Sequence, residues 1–199
     1  MLPVRDLRAL LPVARGALPL VVAVDRAADI EALLRLTART PLRLIILGGA
    51  EAWQVAGPLA ARRVPVIVDP LLAGPGGFDQ LAARPDNAAL LAAAGVPVMF
   101  GTSSSHHVRK LRQLAGNAVR AGLAPGVALD ALTRVPAEAF GLADRGRLEV
   151  GARADLALWS GDPFELDTRL VGLWIGGAEQ ALTSRQTALR DRYRHLPPR

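Results

Sequence analysis

The chain has 199 residues, of which 51% are hydrophobic, and a net charge of +6 from 24 basic and 18 acidic side chains. This apolar content suffices for a buried core, and the length suits one or two domains. The absence of cysteine excludes disulfides, thiolate metal sites and a cysteine nucleophile.

The basic charge does not predict a nucleic-acid partner. Nearly all of it is arginine interleaved with Asp and Glu, and only 4% of the residues are aromatic, which leaves few side chains on which bases could stack. The apolar runs, such as 18–24, are far shorter than the roughly 20 residues of a membrane-spanning helix. No signal-peptide cleavage pattern follows that run. We therefore expect no nucleic-acid and no membrane partner; the compartment is undetermined, with the cytoplasm as the default.

Four apolar segments in the first half of the chain predict buried strands. Those beginning at Leu18, Val64 and Val96 share one form, an apolar residue, a proline and three apolar residues, and Pro41 opens a looser fourth copy. Proline is tolerated at the start of a strand. Continuous apolar runs without alternation are typical of parallel strands that are buried on both faces.

Helical patterns separate these strands. Apolar spacing predicts a helix around 30–37, Asp86 and Gly95 are start and stop signals for a helix over 87–94, and an apolar stripe over 108–119 stops at Gly122. The segment 52–62 is less regular because it contains Gly-Pro at 57–58. The repeated strand–helix alternation predicts βαβ units in an α/β fold.

After Gly122 the pattern changes. Two short helices are predicted over 127–133 and 136–140. Strand-like runs follow at 148–150, 155–159 and 170–175, separated by turn residues at 161–163 and 176–177, and a polar helix covers 182–193. Short strands between such turns are typical of antiparallel structure.

The stretch 117–177 carries a specific pattern of motifs. These are Asn-Ala-Val-Arg-Ala-Gly-Leu (117–123), Ala-Leu-Asp-Ala-Leu-Thr (128–133), Pro-Ala (136–137), Gly-Leu-Ala-Asp-Arg-Gly-Arg-Leu-Glu-Val-Gly-Ala-Arg-Ala-Asp-Leu-Ala-Leu-Trp (141–159), Gly-Asp-Pro (161–163) and Leu-Val-Gly-Leu-Trp-Ile-Gly-Gly (170–177). In these motifs the chain resembles the amidohydrolase superfamily, and within it the imidazolonepropionase-like subgroup. The region 18–116 is similar to that family in layout more than in motif.

The resemblance implies an α/β fold, with a partial (β/α) TIM-type barrel of about four βα units followed by short helices and a small antiparallel β module. The expected domains are 1–140, the C-terminal half of the barrel with its following helices; 141–180, the β-sandwich strands of a composite small domain; and 181–199, a C-terminal helix and tail. Four open strands would expose two sheet edges and an apolar inner face. We therefore expect a complementary N-terminal half-barrel or self-association as the partner.

The resemblance also implies metal-dependent hydrolysis of non-peptide C–N bonds, with an aspartate as the proton acceptor. The family's fifth-strand ligand position falls near Ala23, within 22–25, and its sixth-strand position falls near Gly48, within 47–50. Its eighth-strand aspartate falls on Ser103, and its first-strand histidine pair would precede Met1. We therefore expect no metal ligands and no metal-dependent activity in this chain alone, with zinc bound only if a complementary half supplies ligands. The alternative is a non-catalytic half-barrel that serves as a binding or interaction subunit.

A polar run follows the fourth predicted strand and opens a helix. Backbone N–H groups, hydroxyl donors and the helix dipole would together favour a carboxylate or phosphate there; the alternative is that serine only caps the helix. A Ser–His nucleophilic pair is disfavoured because adjacent side chains on a helix diverge, and the two adjacent histidines diverge by about 100° and so do not chelate one ion. The candidate substrate- or anion-binding residues are Thr102, Ser103, Ser104, Ser105, His106, His107, Asp25 and Arg26.

Two acidic residues also follow predicted strands. Glu51 and Asp69 would form an acid/base pair if their carboxylates converge; the alternative is that each caps a helix or pairs with an arginine. Together with Ser103 they are the candidate catalytic residues. The expected ligand is a small amide or carboxylate.

Overall fold

The protein is described by a computed structural model that covers residues 4–71, 74–102 and 105–194. The chain forms two compact units, Met1–Arg147 and Leu148–Arg199. The three-part division predicted from the sequence stays a prediction. No helix among the described residues combines the length and the apolar character needed to cross a bilayer.

The first unit alternates strands and helices. Its elements are α1 (Val4–Ala9), α2 (Leu11–Ala14), β1 (Pro19–Val24), α3 (Ala27–Leu36), β2 (Arg43–Gly48), α4 (Ala56–Ala61), β3 (Val66–Val68), α5 (Asn87–Ala93), β4 (Val98–Phe100), α6 (Leu111–Arg120), α7 (Pro125–Leu132) and α8 (Arg134–Ala139). Short 3₁₀ turns lie at Ala52–Val55, Phe78–Gln80 and Ser105–Lys110.

The four strands of this unit form one parallel sheet in the order β1-β2-β3-β4. Leu20 lies opposite Leu44, Ile46 opposite Val66, and Val66 opposite Val98. The prediction of four side-by-side parallel strands is confirmed, and with it the α/β class. Closure into part of a barrel stays a prediction.

The two faces of the sheet differ in burial. Because side chains alternate along a strand, Leu44, Ile46 and Val66 share one face, and all three are buried. On the other face Val21 is 39% exposed and Leu47 is 42% exposed. The expectation of burial on both faces is therefore wrong for β1 and for the end of β2. We refer below to Val21, Ala23 and Leu47 as the open face.

The helices follow their sequence signals with two differences. Gly95 ends α5 with a φ of +84°, as predicted, but Asp86 makes no side-chain cap bond at the start of that helix, because its carboxylate pairs with Arg84 instead. The irregular segment 52–62 divides into a 3₁₀ turn and α4. Pro58 lies in the first turn of α4, where its missing N–H costs no helical hydrogen bond.

The second unit contains an antiparallel sheet of β5 (Leu156–Trp159), β6 (Leu170–Ile175) and β7 (Ala178–Glu179), followed by α9 (Arg185–Arg194). Gly176 and Gly177 form the turn between β6 and β7, both with positive φ, which glycine adopts without strain. The antiparallel prediction is confirmed. The strand expected at 148–150 does not form, and Leu148 and Val150 are exposed in non-strand backbone.

A core substitution tests this description of the first unit. Leu91 in α5 is fully buried, so Leu91→Ala should lower the free energy of unfolding by about 2–5 kcal/mol through lost burial and the cavity left behind. Urea denaturation followed by circular dichroism measures this change. The matched control is Leu36→Ala in α3, where the side chain is 78% exposed and the change should stay within about 0.5 kcal/mol. Equal effects of the two substitutions would contradict the assignment of the core.

Candidate functional site

A cavity of about 530 Å³ lies at the carboxyl ends of the parallel strands. Ala23, Leu47 and Ile67 from three strands provide apolar lining. The polar lining residues are Asp25, Asp29, Asp69, Asp79, Gln80 and Thr102. In parallel α/β folds this end of the strands is where ligands bind, so the cavity is the candidate site.

Asp25, directly after β1, connects three segments around this cavity. Its Oδ1 accepts a hydrogen bond from the Ala50 N–H at 3.1 Å, and its Oδ2 accepts one from the side-chain amide of Gln80 at 2.8 Å. Its main-chain carbonyl accepts the Glu51 N–H at 2.9 Å. The residue therefore ties the end of β1 to the loop after β2 and to the turn at Phe78–Gln80.

Glu51 makes a second connection of the same kind. Its Oε2 accepts the N–H of Ala27, the first residue of α3, and its Oε1 accepts the N–H of Ala82, both at 3.1 Å. A negative charge at the start of α3 also complements the helix dipole. Glu51 therefore caps the helix after β1, and not the helical turn that follows Glu51 itself.

The predicted acid/base pair is not brought together by these contacts. Glu51 uses both oxygens on backbone N–H groups, whereas Asp69 lines the cavity and accepts the Leu71 N–H at 3.0 Å. Of the two carboxylates, Asp69 is the one in a position to meet a ligand. Its role as an acid or a base stays a prediction.

The polar run 102–107 is divided by the structure. Thr102 lines the cavity, while Ser103 and Ser104 lie outside the described residues. Ser105 and His106 are exposed in the 3₁₀ turn before α6, and His107 is half-buried with no hydrogen bond to Nδ1 within the described part of the chain. The anion pocket stays a prediction.

Arg26, the last candidate, is exposed at the N-terminal cap position of α3. Its guanidinium lies 3.9 Å from the Asp29 carboxylate, and its side chain makes no cap bond. Such exposed pairs contribute little to stability. The contact orients Arg26 along α3, and Arg26 is not among the described residues that line the cavity.

Sequence reasoning missed Gln80, Asp79 and Asp29 as lining residues. Gln80 and Asp79 lie in the connection 69–86 between β3 and α5. Connections longer than roughly 12–15 residues are uncommon in compact domains, and this one exceeds that length. A loop of that length is frequently functional, and this length was the available signal. Asp29 lies in the first turn of α3, where acidic residues are common for reasons of the helix dipole alone.

The second half of this connection is held firmly. Trp53 Nε1 donates to the Ala82 carbonyl at 3.0 Å, and the Arg84 guanidinium lies over the Trp53 ring, 4.8 Å from its centroid. Arg84 also pairs with Asp86, and this hydrogen bond holds the pKa of the Asp86 carboxyl below its usual value. Together with Asp25 and Glu51, these contacts fix the wall of the cavity that contains Gln80.

The positions that correspond to family metal ligands offer no ligand atoms in the described region. Ala23 carries only a methyl group. Gly48 has a φ of +97°, and a Cβ built on it would overlap the Asp25 Oδ1. Across the described ranges no three His, Cys, Asp or Glu side chains converge in a way that could hold a metal ion. Among the described residues, the side chains near these positions therefore supply no ligand to a divalent metal; Ser103 lies outside the described residues, and the expectation that this chain holds no metal stays a prediction.

The structural role of Glu51 is testable. Glu51→Ala leaves the Ala27 and Ala82 N–H groups without their acceptor, which should lower the free energy of unfolding by about 1–3 kcal/mol. Hydrogen exchange followed by NMR should show faster exchange at these two amides. Glu31→Ala, which removes only an exposed pair with Arg35, is the control and should leave both amides protected. Unchanged protection of Ala27 and Ala82 in Glu51→Ala would show that the carboxylate does not hold them.

The relation to known proteins agrees with this architecture. Residues 50–179 match the model of the Amidohydrolase family. The chain is 39% identical over 87 residues to the imidazolonepropionase of Paracoccus denitrificans (strain Pd 1222), a match that covers 41% of this chain and 22% of that protein.

Solved structures show the same similarity. An amidohydrolase from Thermotoga maritima MSB8 superposes with a TM-score of 0.80 at 29% identity, over 87% of this chain and 46% of that chain. The structure of molinate hydrolase superposes with a TM-score of 0.64 at 18% identity, over 89% of this chain and 46% of that chain, and supports the fold only. The chain thus spans about half the length of these structures. Because the family model covers more than half of its residues, the chain belongs to the amidohydrolase family, and it is similar in sequence to imidazolonepropionase.

Proposed function

We propose that this chain is the C-terminal half of a (β/α) barrel in a hydrolase that acts on non-peptide C–N bonds. It forms one wall of the active-site cavity, and complementary strands supply the opposite wall and the metal ligands. The observation that carries this proposal is the cavity at the carboxyl ends of four parallel strands, next to an open apolar face.

The open face supports the need for complementary strands. Val21 and Leu47 expose apolar surface on the same side of the sheet, and β1 has no second strand neighbour among the described residues. In a closed barrel a further strand pairs with such an edge, and the inner face is packed. The chain also spans less than half of the Thermotoga maritima amidohydrolase, which leaves more than half of that structure without a counterpart here.

The cavity lining favours an amide ligand over a carboxylate. Among the described residues, four aspartates contribute to the lining and no lysine, arginine or histidine does, so an anionic ligand would meet repulsion. Gln80 and Thr102 offer hydrogen bonds to a neutral amide, Asp69 is the candidate proton acceptor, and Leu47 and Ile67 add apolar surface to the lining. Ser103 stays a candidate from the sequence.

A divalent metal such as zinc belongs to this proposal only through the complementary half. Within the described ranges, the chain's own residues at the ligand positions do not fit a metal. The same observation favours the second candidate function, a non-catalytic half-barrel that binds a partner. The two functions differ in whether the completed barrel turns over a substrate.

The activity test uses the purified chain with and without zinc, and two candidate substrates taken from the names of the relatives above, imidazolonepropionate and molinate. We expect no turnover from the chain alone, because its residues do not build the metal centre. The chain is then mixed with the part of the Thermotoga maritima amidohydrolase that it does not match. Zinc-dependent turnover only in the mixture supports the hydrolase, a complex without turnover supports the binding subunit, and turnover by the chain alone contradicts both.

The open face itself is tested by sedimentation. We expect the isolated chain to self-associate, because water contacts apolar side chains that a partner would bury. Leu47→Glu places a charge on the open face and should shift the chain toward monomer. Leu36→Glu changes an equally apolar and more exposed residue on α3, and should leave the association unchanged. A wild-type chain that sediments as a single monomeric species at all concentrations would contradict the proposed partner.

A further inference from the structure

The ends of β1 and β2 are joined through one carboxylate. Val24 and Gly48 are register partners at the last position of the pairing, and Asp25 follows directly. The carboxylate of Asp25 accepts the Ala50 N–H and the Gln80 side-chain amide, one donor on each oxygen. Hydrogen bonds to an ionised acceptor are stronger than neutral ones. Asp25 therefore holds two segments at the mouth of the cavity. It holds the loop after β2 through the Ala50 N–H, and the turn at Phe78–Gln80 through the Gln80 amide.

The same carboxylate occupies the space next to Gly48. A Cβ at position 48 would overlap the Asp25 Oδ1 and would lie 3.2 Å from the Asp25 Cγ. The φ of +97° at Gly48 independently disfavours a residue with a side chain. A ligand-bearing side chain at position 48 would need the volume that the Asp25 carboxylate fills.

A metal ion would also compete with existing donors. Each Asp25 oxygen already accepts one of these donors, and an ion that took the same lone pair would displace the Ala50 N–H or the Gln80 amide. The loss of the Ala50 bond would leave a backbone N–H at the strand end without its partner. The two arrangements, a carboxylate tie and a metal ligand at position 48, therefore exclude each other.

We infer that Asp25 is a positioning residue. In place of a metal centre, its carboxylate joins the end of β1 to the loop after β2 and to the turn at Phe78–Gln80. It does so by hydrogen bonding to Ala50 and Gln80, and this carboxylate, in addition to the positive φ, leaves no room for a side chain at position 48. The inference does not depend on the proposed hydrolase activity, because it applies equally to a binding subunit.

A double-mutant cycle on the full chain tests it. The variants are Gly48→Ala, Asp25→Ala and the double variant, and the readout is the unfolding equilibrium constant from urea denaturation. Gly95→Ala is the matched control, because Gly95 also has a positive φ of +84° but a Cβ there meets no described atom within 4 Å. The change in the unfolding constant of Gly95→Ala shows how much a side chain at a positive φ destabilises the fold when its Cβ overlaps no neighbouring atom.

We expect Gly48→Ala to raise the unfolding constant roughly tenfold more than Gly95→Ala does in the wild-type background. In the Asp25→Ala background the two glycine substitutions should have equal effects to within about threefold. If Gly48→Ala changes the unfolding constant equally with and without Asp25, the carboxylate does not limit the room for a side chain at position 48, and the inference is wrong.

A second measurement applies if Gly48→Ala does not fold. Hydrogen exchange at the Ala50 amide should become faster in Asp25→Ala than in the wild-type chain, because the amide loses its acceptor. The reference is the Val66 amide, which donates to the Pro97 carbonyl between other strands and should exchange at the same rate in both proteins. Equal exchange at Ala50 in the two proteins would overturn the inference.

Zinc provides the third readout. The urea midpoint of the wild-type chain should not change with stoichiometric zinc, since a ligand stabilises the folded state only if it binds it. An unchanged midpoint in both the wild-type chain and Asp25→Ala supports the inference. A stoichiometric zinc effect that Asp25→Ala abolishes would identify Asp25 as a metal ligand and overturn it.

Discussion

The carboxylates of Asp25 and Glu51 are the constraint on which the candidate site depends. Each lies at the carboxyl end of a parallel strand, and each accepts two hydrogen bonds from segments that are distant in sequence. The backbone N–H groups at strand and helix ends need acceptors, and these two side chains provide them. The position of Gln80, and with it one wall of the cavity, follows from this arrangement.

The open face connects the fold to the family. Among the described residues, β1 has no second strand partner and the open face exposes apolar side chains, and our proposal assigns both surfaces to complementary strands. The proposed half-barrel would account for this surface, because further strands would continue from β1 and pack against Val21 and Leu47. The proposed hydrolase and the proposed binding subunit share this requirement and differ only in the chemistry that the complementary half contributes.

Much of the fold could be predicted from the sequence, because proline-initiated apolar runs and helical stripes are local signals. The four strands, the α/β class and the antiparallel strands after Gly122 followed from them. The site was less predictable. Glu51 accepts hydrogen bonds from Ala27, 24 residues before it, and from Ala82, 31 residues after it. Local residue patterns do not predict contacts between positions so far apart in the sequence. The strand expected at 148–150 failed because a short apolar run does not define a strand without a neighbour to pair with.

The most direct test of the account is a crystal structure of the full chain grown with zinc, with anomalous data collected at the zinc edge. We expect the Asp25 carboxylate to accept hydrogen bonds from the Ala50 N–H and the Gln80 amide, with no anomalous peak beside it. A zinc peak bonded to Asp25, with the Ala50 hydrogen bond broken, would contradict the carboxylate tie.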